Sequence, residues 1–286
     1  MKLLHLSDLH LAKPGVLQYG SVDTTAALHD LLALVPNQWH PDVVVVSGDI
    51  SNDDSAHSYE SALDIVGAWA KRHEAPVAWV PGNHDNTDTV ELLHRPEHGH
   101  HLRGAVTVGR SRLVLVDTRV PRRGFGRLPD STAGLDLFDD TEQDRVLVMH
   151  HPPLPAPSAL HHALRLRGLE RWEEAVTAAG VTLVLCGHHH VATRGTWAGA
   201  DVLVGPAVAN RTLLTDWHRE QAVAEHGLAM VETGPELSVE HLRIGDPARM
   251  VLDLSPEQVA TVAAAAGNPD EPGGGLAQQP TSRCAR

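Results

Sequence analysis

The chain has 286 residues, 42% of them hydrophobic and 21% charged, which is enough to bury one large α/β core or at most two small ones. Its 23 Lys and Arg stand against 36 Asp and Glu, and the net charge of −13 argues against an extended nucleic-acid footprint, which needs clustered cations facing phosphates. The 2 cysteines are too few for a disulfide framework, and no apolar run approaches the roughly 20 residues of a membrane helix. Cys186 ends an apolar run and Cys284 lies close to the last residue, so both are read as free thiols. The chain enters a strand-like run directly after Met1, leaving no room for a signal peptide, and a soluble cytoplasmic protein is expected.

In chain order, the strand-like run at residues 2–6 ends in the polar island Ser7-Asp8-Leu9-His10. Residues 22–35 place Ala26, Ala27, Leu28, Leu31, Leu32 and Leu34 at helical spacing. A β-branched run at 42–46 ends in Ser47-Gly48-Asp49, a second helix is expected over 55–71, and a strand at 76–80 ends in Pro81-Gly82-Asn83-His84-Asp85. Residues 105–109 and 112–117 flank a short turn and read as a hairpin. A strand at 145–149 then leads to His150-His151-Pro152-Pro153, a helix is expected over 169–179, and a strand at 181–186 leads to Gly187-His188-His189-His190. Further strands at 201–204, 228–232 and 237–244 are more than one parallel sheet requires, which suggests two sheets. The expected organisation is one catalytic domain over 1–250, a short helix over 251–266 that begins at about Leu254, and a polar, Pro- and Gly-rich disordered tail over 267–286.

The islands share one chemistry. They place Asp, His and Asn side chains at strand ends, and this mixed oxygen and nitrogen set suits borderline divalent metals. Strand alternation would point Asp8 and His10 to one side, as it would His188 and His190, with Leu9 and His189 turned elsewhere. Any single island is weak, because Asp after a strand is commonly a turn or cap residue. Their joint occurrence carries the metal reading.

Taken in order, the islands follow the pattern D-x-H, G-D, G-N-H-D, H, G-H-x-H, and over about residues 1–244 the chain resembles the calcineurin-like metallophosphoesterase superfamily. The forms SDLHL, SGDI, PGNHD, MHHPP and CGHHH look most like the bacterial class III cyclic-nucleotide and glycerophosphodiester phosphodiesterases. The resemblance implies a four-layer α/β/β/α sandwich of two mixed sheets flanked by helices, with a dinuclear centre at one rim. It implies two divalent ions from among Fe, Mn, Zn and Co. Asp8, His10, Asp49 and His190 would hold the first, and Asn83, His150, His188 and the other oxygen of Asp49 the second. A hydroxide shared by the ions would attack phosphorus in line. By the same resemblance His84 stays unligated near the leaving oxygen as the catalytic proton donor or charge stabiliser, the substrate is a small phosphodiester, and the protein is a homodimer.

Several neighbours leave two readings open. Asp85 either orients His84 or starts a helix, and Asn52 either touches bound phosphate or caps the next helix, the cap being preferred. His150 takes the ligand position and His151 packs behind it, with the reverse as the alternative. His94, His98, His100 and His101 read as solvated, whereas His161 and His162 follow a Pro-rich loop suited to border the substrate. Residues 103–127 hold seven arginines against one acid, Asp117, a balance of +6 that leaves −19 on the rest and gives a patch able to guide an anionic substrate. Within it, Arg122, Arg123 and Arg127 form either a solvated loop or a phosphate or interface contact.

Competing readings are a phosphomonoesterase, a repair nuclease and a metal-stabilised scaffold. Protein phosphatases of the superfamily carry an Arg in G-D-x-x-D-R-G, where this chain has Asp49-Ile50-Ser51-Asn52-Asp53-Asp54. A nuclease fits poorly with the acidic balance and 3% aromatic content. Retention of every ligand together with His84 disfavours a scaffold.

Overall fold

The computed structural model describes residues 1–139 and 141–267. The elements run β1 (Lys2–Leu6), α1 (Thr24–Leu34), β2 (Val43–Ser47), α2 (Ala56–Ala62), a π-helical turn (Leu63–Gly67), α3 (Ala68–Arg72), β3 (Val77–Val80), β4 (His100–His101), β5 (Gly104–Val108), β6 (Ser111–Leu115) and β7 (Gly126–Arg127). They continue with β8 (Asp144–Val148), α4 (Ala159–Ala163), β9 (Leu166–Arg167), α5 (Leu169–Ala178), β10 (Leu183–Cys186), β11 (Thr193–Trp197), β12 (Ala200–Val204), β13 (Arg211–Leu213), β14 (Glu220–Glu232), β15 (Ser238–Leu254) and α6 (Pro256–Gly267).

Two mixed sheets form. The first has the order β13-β14-β1-β2-β3-β4, with β15 also paired to β14; β1 to β4 are parallel, and β14 runs antiparallel to its neighbours. The second has the order β11-β12-β10-β8-β6-β5, parallel across its centre and antiparallel at both edges. Alternation along each strand makes the layers. Leu3, Val43, Val45, Ala78 and Val80 of the first sheet meet Leu113, Leu115, Val146, Val148, Leu183 and Leu185 of the second in one buried cluster. Their sequence neighbours Leu4, Leu6, Val44, Val46, Val77 and Trp79 face outward, against Leu28, Leu31 and Leu32 of α1 and Tyr59 and Ala62 of α2. On the opposite outer face Val114, Leu147, Met149, Val184 and Cys186 pack on Trp172 and Val176 of α5. Strands buried on both faces explain the unbroken apolar runs, and the result is the expected four-layer sandwich.

The helix expected over 55–71 is one continuous rod with a π turn in its middle, capped by Ser55, whose side chain accepts from the Ser58 amide. The strands expected at 228–232 and 237–244 are longer than their patterns: β14 starts at Glu220 and β15 runs to Leu254. Ala, Glu and Gly in the stretch of β14 before Leu228 have low strand propensity. The register shift that pairs Val223 with Met250 and Ala224 with Asp246 leaves Pro247 bulged out of the ladder. A helix follows at α6, and the expected disordered tail beyond Gly267 lies outside the described residues. Cys186 is a buried free thiol, its pKa raised by burial. No helix among the described residues is long and apolar enough to cross a membrane.

Candidate metal centre

The islands lie just past the last residues of β1, β2, β3, β8 and β10. Parallel strands within each sheet end at the same edge, so five loops from two sheets meet at one rim. Strand alternation is not what aligns the side chains. Asp8, His10, Asp49, His188 and His190 all have left-handed backbone, with φ of 51°, 45°, 49°, 71° and 52°. Non-glycine residues in that region cost of order 1–3 kcal/mol each and persist where surrounding contacts fix them. Those contacts are present: the Asp8 and His10 amides donate to the Gly48 and Asp49 carbonyls at 3.0 and 2.9 Å, and the Gly187 amide donates to the His150 carbonyl at 3.0 Å.

The donor atoms converge on Asp49. Its Oδ2 lies 3.6 Å from His10 Nε2 and 3.4 Å from His150 Nε2, while its Oδ1 accepts the His84 amide at 2.8 Å. A single oxygen therefore faces both sides of the centre, in place of the expected division between two. On one side His10 Nε2 and His190 Nε2 are 3.2 Å apart and His190 Nε2 is 3.3 Å from Asp8 Oδ1. On the other, His150 Nε2 is 3.1 Å from Asn83 Oδ1, and His188 Nε2 is buried with no protein partner. Ligands held about 2.0–2.2 Å from a shared cation sit roughly 3.0–3.5 Å from one another, and these separations fall close to that range. Asp8, His10, Asp49 and His190 form one group that could hold a cation, and His150, His151 and His188 form a second, with Asn83 beside His150.

Neighbouring groups set the imidazole orientations. His150 donates from Nδ1 to the Ser47 carbonyl at 2.8 Å, and His190 Nδ1 meets Asn210 Oδ1 at 3.2 Å, so each turns Nε2 into the centre. His151 has both nitrogens engaged elsewhere, Nδ1 with Thr118 Oγ1 at 2.8 Å and Nε2 with the Gly124 carbonyl at 3.1 Å. It is buried behind His150 and is not free to ligate. Asp85 neither orients His84 nor starts a helix. Its carboxylate accepts the amides of Ile50, Ser51 and Gly82 at 3.1, 3.0 and 2.8 Å and the Tyr59 hydroxyl at 3.0 Å, fastening the Asp49 loop to the Asn83 loop.

The electrostatics of Asp8, Asp49, His10 and His188 favour the forms that bind cations. Burial opposes the charge on Asp8, but His190 and His150 hold its carboxyl down at about 2, and Asp49 lies well below the usual range against the pull of burial because of His150 and His84. Burial, with His84 as neighbour, pushes His10 down to about 3, and burial holds His188 far below its ordinary value. Burial also pulls His150 down, yet Asp49 and Asp8 outweigh it and lift His150 to about 9. In the cation-free protein a proton on His150 stands where positive charge is wanted.

Other expectations divide. His84 is half-buried, its ring 4.7 Å from that of His10 and nearly perpendicular to it. Asn52 is not the cap, since Ser55 fills that place, and its Oδ1 is buried without a partner. The basic segment is largely offset by acids: Arg103 pairs with Glu91, Arg112 with Glu142, Arg119 with Asp117 and Arg127 with Asp130. Arg122 is exposed, and its amide donates to Asn86 Oδ1 at 3.1 Å, so this loop leans on the turn that carries His84. His161 is buried against His188 and His189, whereas His162 is exposed near Trp217. The sequence reading missed Asn210, Ser158, Thr212 and Glu220, which belong to no motif; the one trace of Asn210 is a polar residue closing the apolar run Ala207-Val208-Ala209.

Comparison with known proteins places the chain in a family. Over 208 residues the chain is 30% identical to a probable cyclic nucleotide phosphodiesterase of Rhodococcus erythropolis, covering 71% of this chain and 69% of that protein. It is 29% identical over 219 residues to a cAMP/cGMP dual specificity phosphodiesterase of Mycobacterium tuberculosis (74% and 69% covered), and 29% identical over 228 residues to the glycerophosphodiester phosphodiesterase GpdQ of Enterobacter lignolyticus (74% and 78% covered). The purple acid phosphatase PPD1 of yellow lupin (Lupinus luteus) shares the fold at a TM-score of 0.52 and 15% identity, over 89% of this chain and 53% of that one. Residues 1–192 match the family model described as calcineurin-like phosphoesterase, and with the phosphoesterase motifs gathered at one rim of a two-sheet sandwich, the chain belongs to that family.

Proposed function

We propose that residues 1–250 form a metal-dependent phosphodiesterase for small diesters of the cyclic-nucleotide or glycerophosphodiester type. The observation that carries this reading is the meeting of two groups at Asp49 Oδ2, Asp8, His10 and His190 on one side and His150, with Asn83 and His188 beside it, on the other, with His84 close to His10. Asp8, His10, Asp49 and His190 would hold one divalent cation, and Asn83, His150 and His188, with Asp49, would hold the other. Bound there, the cations supply Lewis acidity, making water more acidic and offsetting the charge of the phosphoryl group.

The chain's own residues do the rest. Ser47 and Asn210 keep the Nε2 atoms of His150 and His190 turned inward. Asp85 keeps the Asp49 and Asn83 loops in fixed relation. As the oxygen of a hydroxide, left after a water has released its proton to solvent, joins phosphorus and the opposite ester bond breaks, a protonated His84 gives its proton to the departing alkoxide. The overall charge of −13 and the pairing of most arginines in the basic segment favour a small substrate over a polyanion.

The test is a panel of cyclic nucleotides, glycerophosphodiesters, phosphomonoesters and single-stranded DNA, assayed on protein reconstituted with Mn. Small diesters should lead. Efficient cleavage of single-stranded DNA with negligible turnover of small diesters would replace this reading with a nuclease.

A further inference from the structure

Beside the metal centre lies a buried polar network that none of the five islands contains. Glu220, the first residue of β14, is 5% exposed, and its two oxygens point along separate routes. Oε2 accepts the Ser158 hydroxyl at 3.0 Å, and Oε1 accepts the Thr212 hydroxyl at 3.3 Å. Ser158 caps α4, and its Oγ lies 2.8 Å from His161 Nδ1. Because the single hydroxyl hydrogen goes to the carboxylate, the His161 nitrogen must supply the hydrogen of that second bond. The His161 ring stands edge-on to His188 and His189, with centroids 5.7 and 5.1 Å away. Along the other route, the Thr212 amide donates to the His190 carbonyl at 3.1 Å. Glu220 thus reaches both ends of the turn that holds His188 and His190 in left-handed backbone.

Such a turn needs bracing from outside, because local preference runs against it. Resting on the metal-centre reading above, we propose that Glu220 is a positioning residue that braces the His188–His190 turn from both ends, through Ser158 and His161 at one and Thr212 at the other, and so sets the affinity of the centre for its cations. Groups that orient metal-binding imidazoles typically contribute 10–100-fold in metal affinity. The two routes separate the two ions: His161 acts on the His188 side and Thr212 on the His190 side.

The experiment is stepwise Mn titration of the full chain by calorimetry, with the thermal midpoint of the metal-free protein recorded for every variant. Glu220→Gln should weaken both binding steps about 10–100-fold. His161→Phe, which keeps a ring against His188 but loses the Ser158 bond, should weaken one step. Thr212→Val should weaken the other, and Thr212→Ser, which restores the hydroxyl, should recover it. If Glu220→Gln proves unstable, the two single-route variants decide alone. Two tight steps in the parent protein with unchanged affinities in the variants would overturn the proposal and leave the phosphodiesterase reading standing, even if thermal midpoints fell. Absence of Mn binding in the parent protein would overturn both.

Discussion

Raising the pH from 7 to 9 in the presence of a chelator should destabilise this protein. In the cation-free state His150 has a folded pKa of about 9 against 6.5 for the free side chain, so its contribution is complete below 6.5 and is lost as pH climbs through 9. At pH 7 nearly all of the folded His150 is protonated and at pH 9 half of it is, so integrating the proton linkage over the window gives a loss of about 2 kcal/mol. His190, whose pKa is also raised through Asp8 against the pull of burial, adds in the same direction. The buried neutral histidines act with the opposite sign and elsewhere: His5, His10, His151 and His161, pushed down to about 4, 3, 3 and 4 chiefly by burial, weaken the fold as pH falls below 6.5 and are silent above 7. Burial and Asp49 lift Asp85 to about 7, so it is half ionised at the start of the window and its remaining titration lowers stability in the same direction, by about 0.4 kcal/mol. Urea unfolding in EDTA at pH 7, 8 and 9, repeated with Mn in slight excess, measures the effect. The drop should appear in EDTA and shrink with Mn, which takes the place of the proton. Stability that stays level or rises from pH 7 to 9 in EDTA would refute the claim that Asp49 holds a proton on His150.

Asp49→Ala should remove both ions together, since one oxygen faces His10 at 3.6 Å and His150 at 3.4 Å; metal analysis showing two retained ions would contradict that geometry. His84→Ala should keep its metals and lose about 10²–10⁴-fold on an alkoxide-releasing diester, with a smaller loss on a nitrophenyl diester, whose leaving group needs little protonation. Equal losses on the two substrates would instead make His84 a phosphate-binding or charge-stabilising residue. Gly48→Ala puts a Cβ 2.3 Å from His150 Nδ1 at a φ of 98°, so the His150 bond to Ser47 must break; metal content should fall toward one ion per chain, and a full complement would show that the loop yields.

Much of the fold was legible because the central strands are buried on both faces. Val43 to Val46 must be apolar throughout, and an unbroken apolar run closed by a polar island marks both the strand and the place where the chain reaches the rim. The residues that the structure gathers at the rim stood in the islands for the same reason. What joins the islands was not. The alternation argument brought Asp8 and His10 together by the wrong physics, since left-handed backbone past the end of β1 aims them, and although Asp and His enter that region more readily than most residues, it is too uncommon to be read from their identity alone. Asp85 looked local to His84, yet its partners at Ile50 and Ser51 are over thirty positions away. Glu220 has no sequence signature, because a buried carboxylate is defined by which hydroxyls surround it. The basic segment looked like a patch only while its partners Glu91, Glu142 and Asp130 were unplaced.

The candidate donor atoms come from two separate sheets, Asp8, His10, Asp49 and Asn83 from one and His150, His188 and His190 from the other, and side-chain packing, with a few cross-sheet bonds such as that of His150 to the Ser47 carbonyl, fixes how those sheets lie across each other. A slide of one sheet by a single residue would be about 3.3 Å, whereas metal–ligand distances tolerate about 0.2 Å. The apolar seam of Leu3, Val45, Val146 and Leu185 therefore acts as an alignment gauge for the chemistry at its edge. Enlarging or trimming those side chains, none of them a donor, should retune metal selectivity and turnover before it unfolds the protein, giving natural variation a route to new activities through the interior.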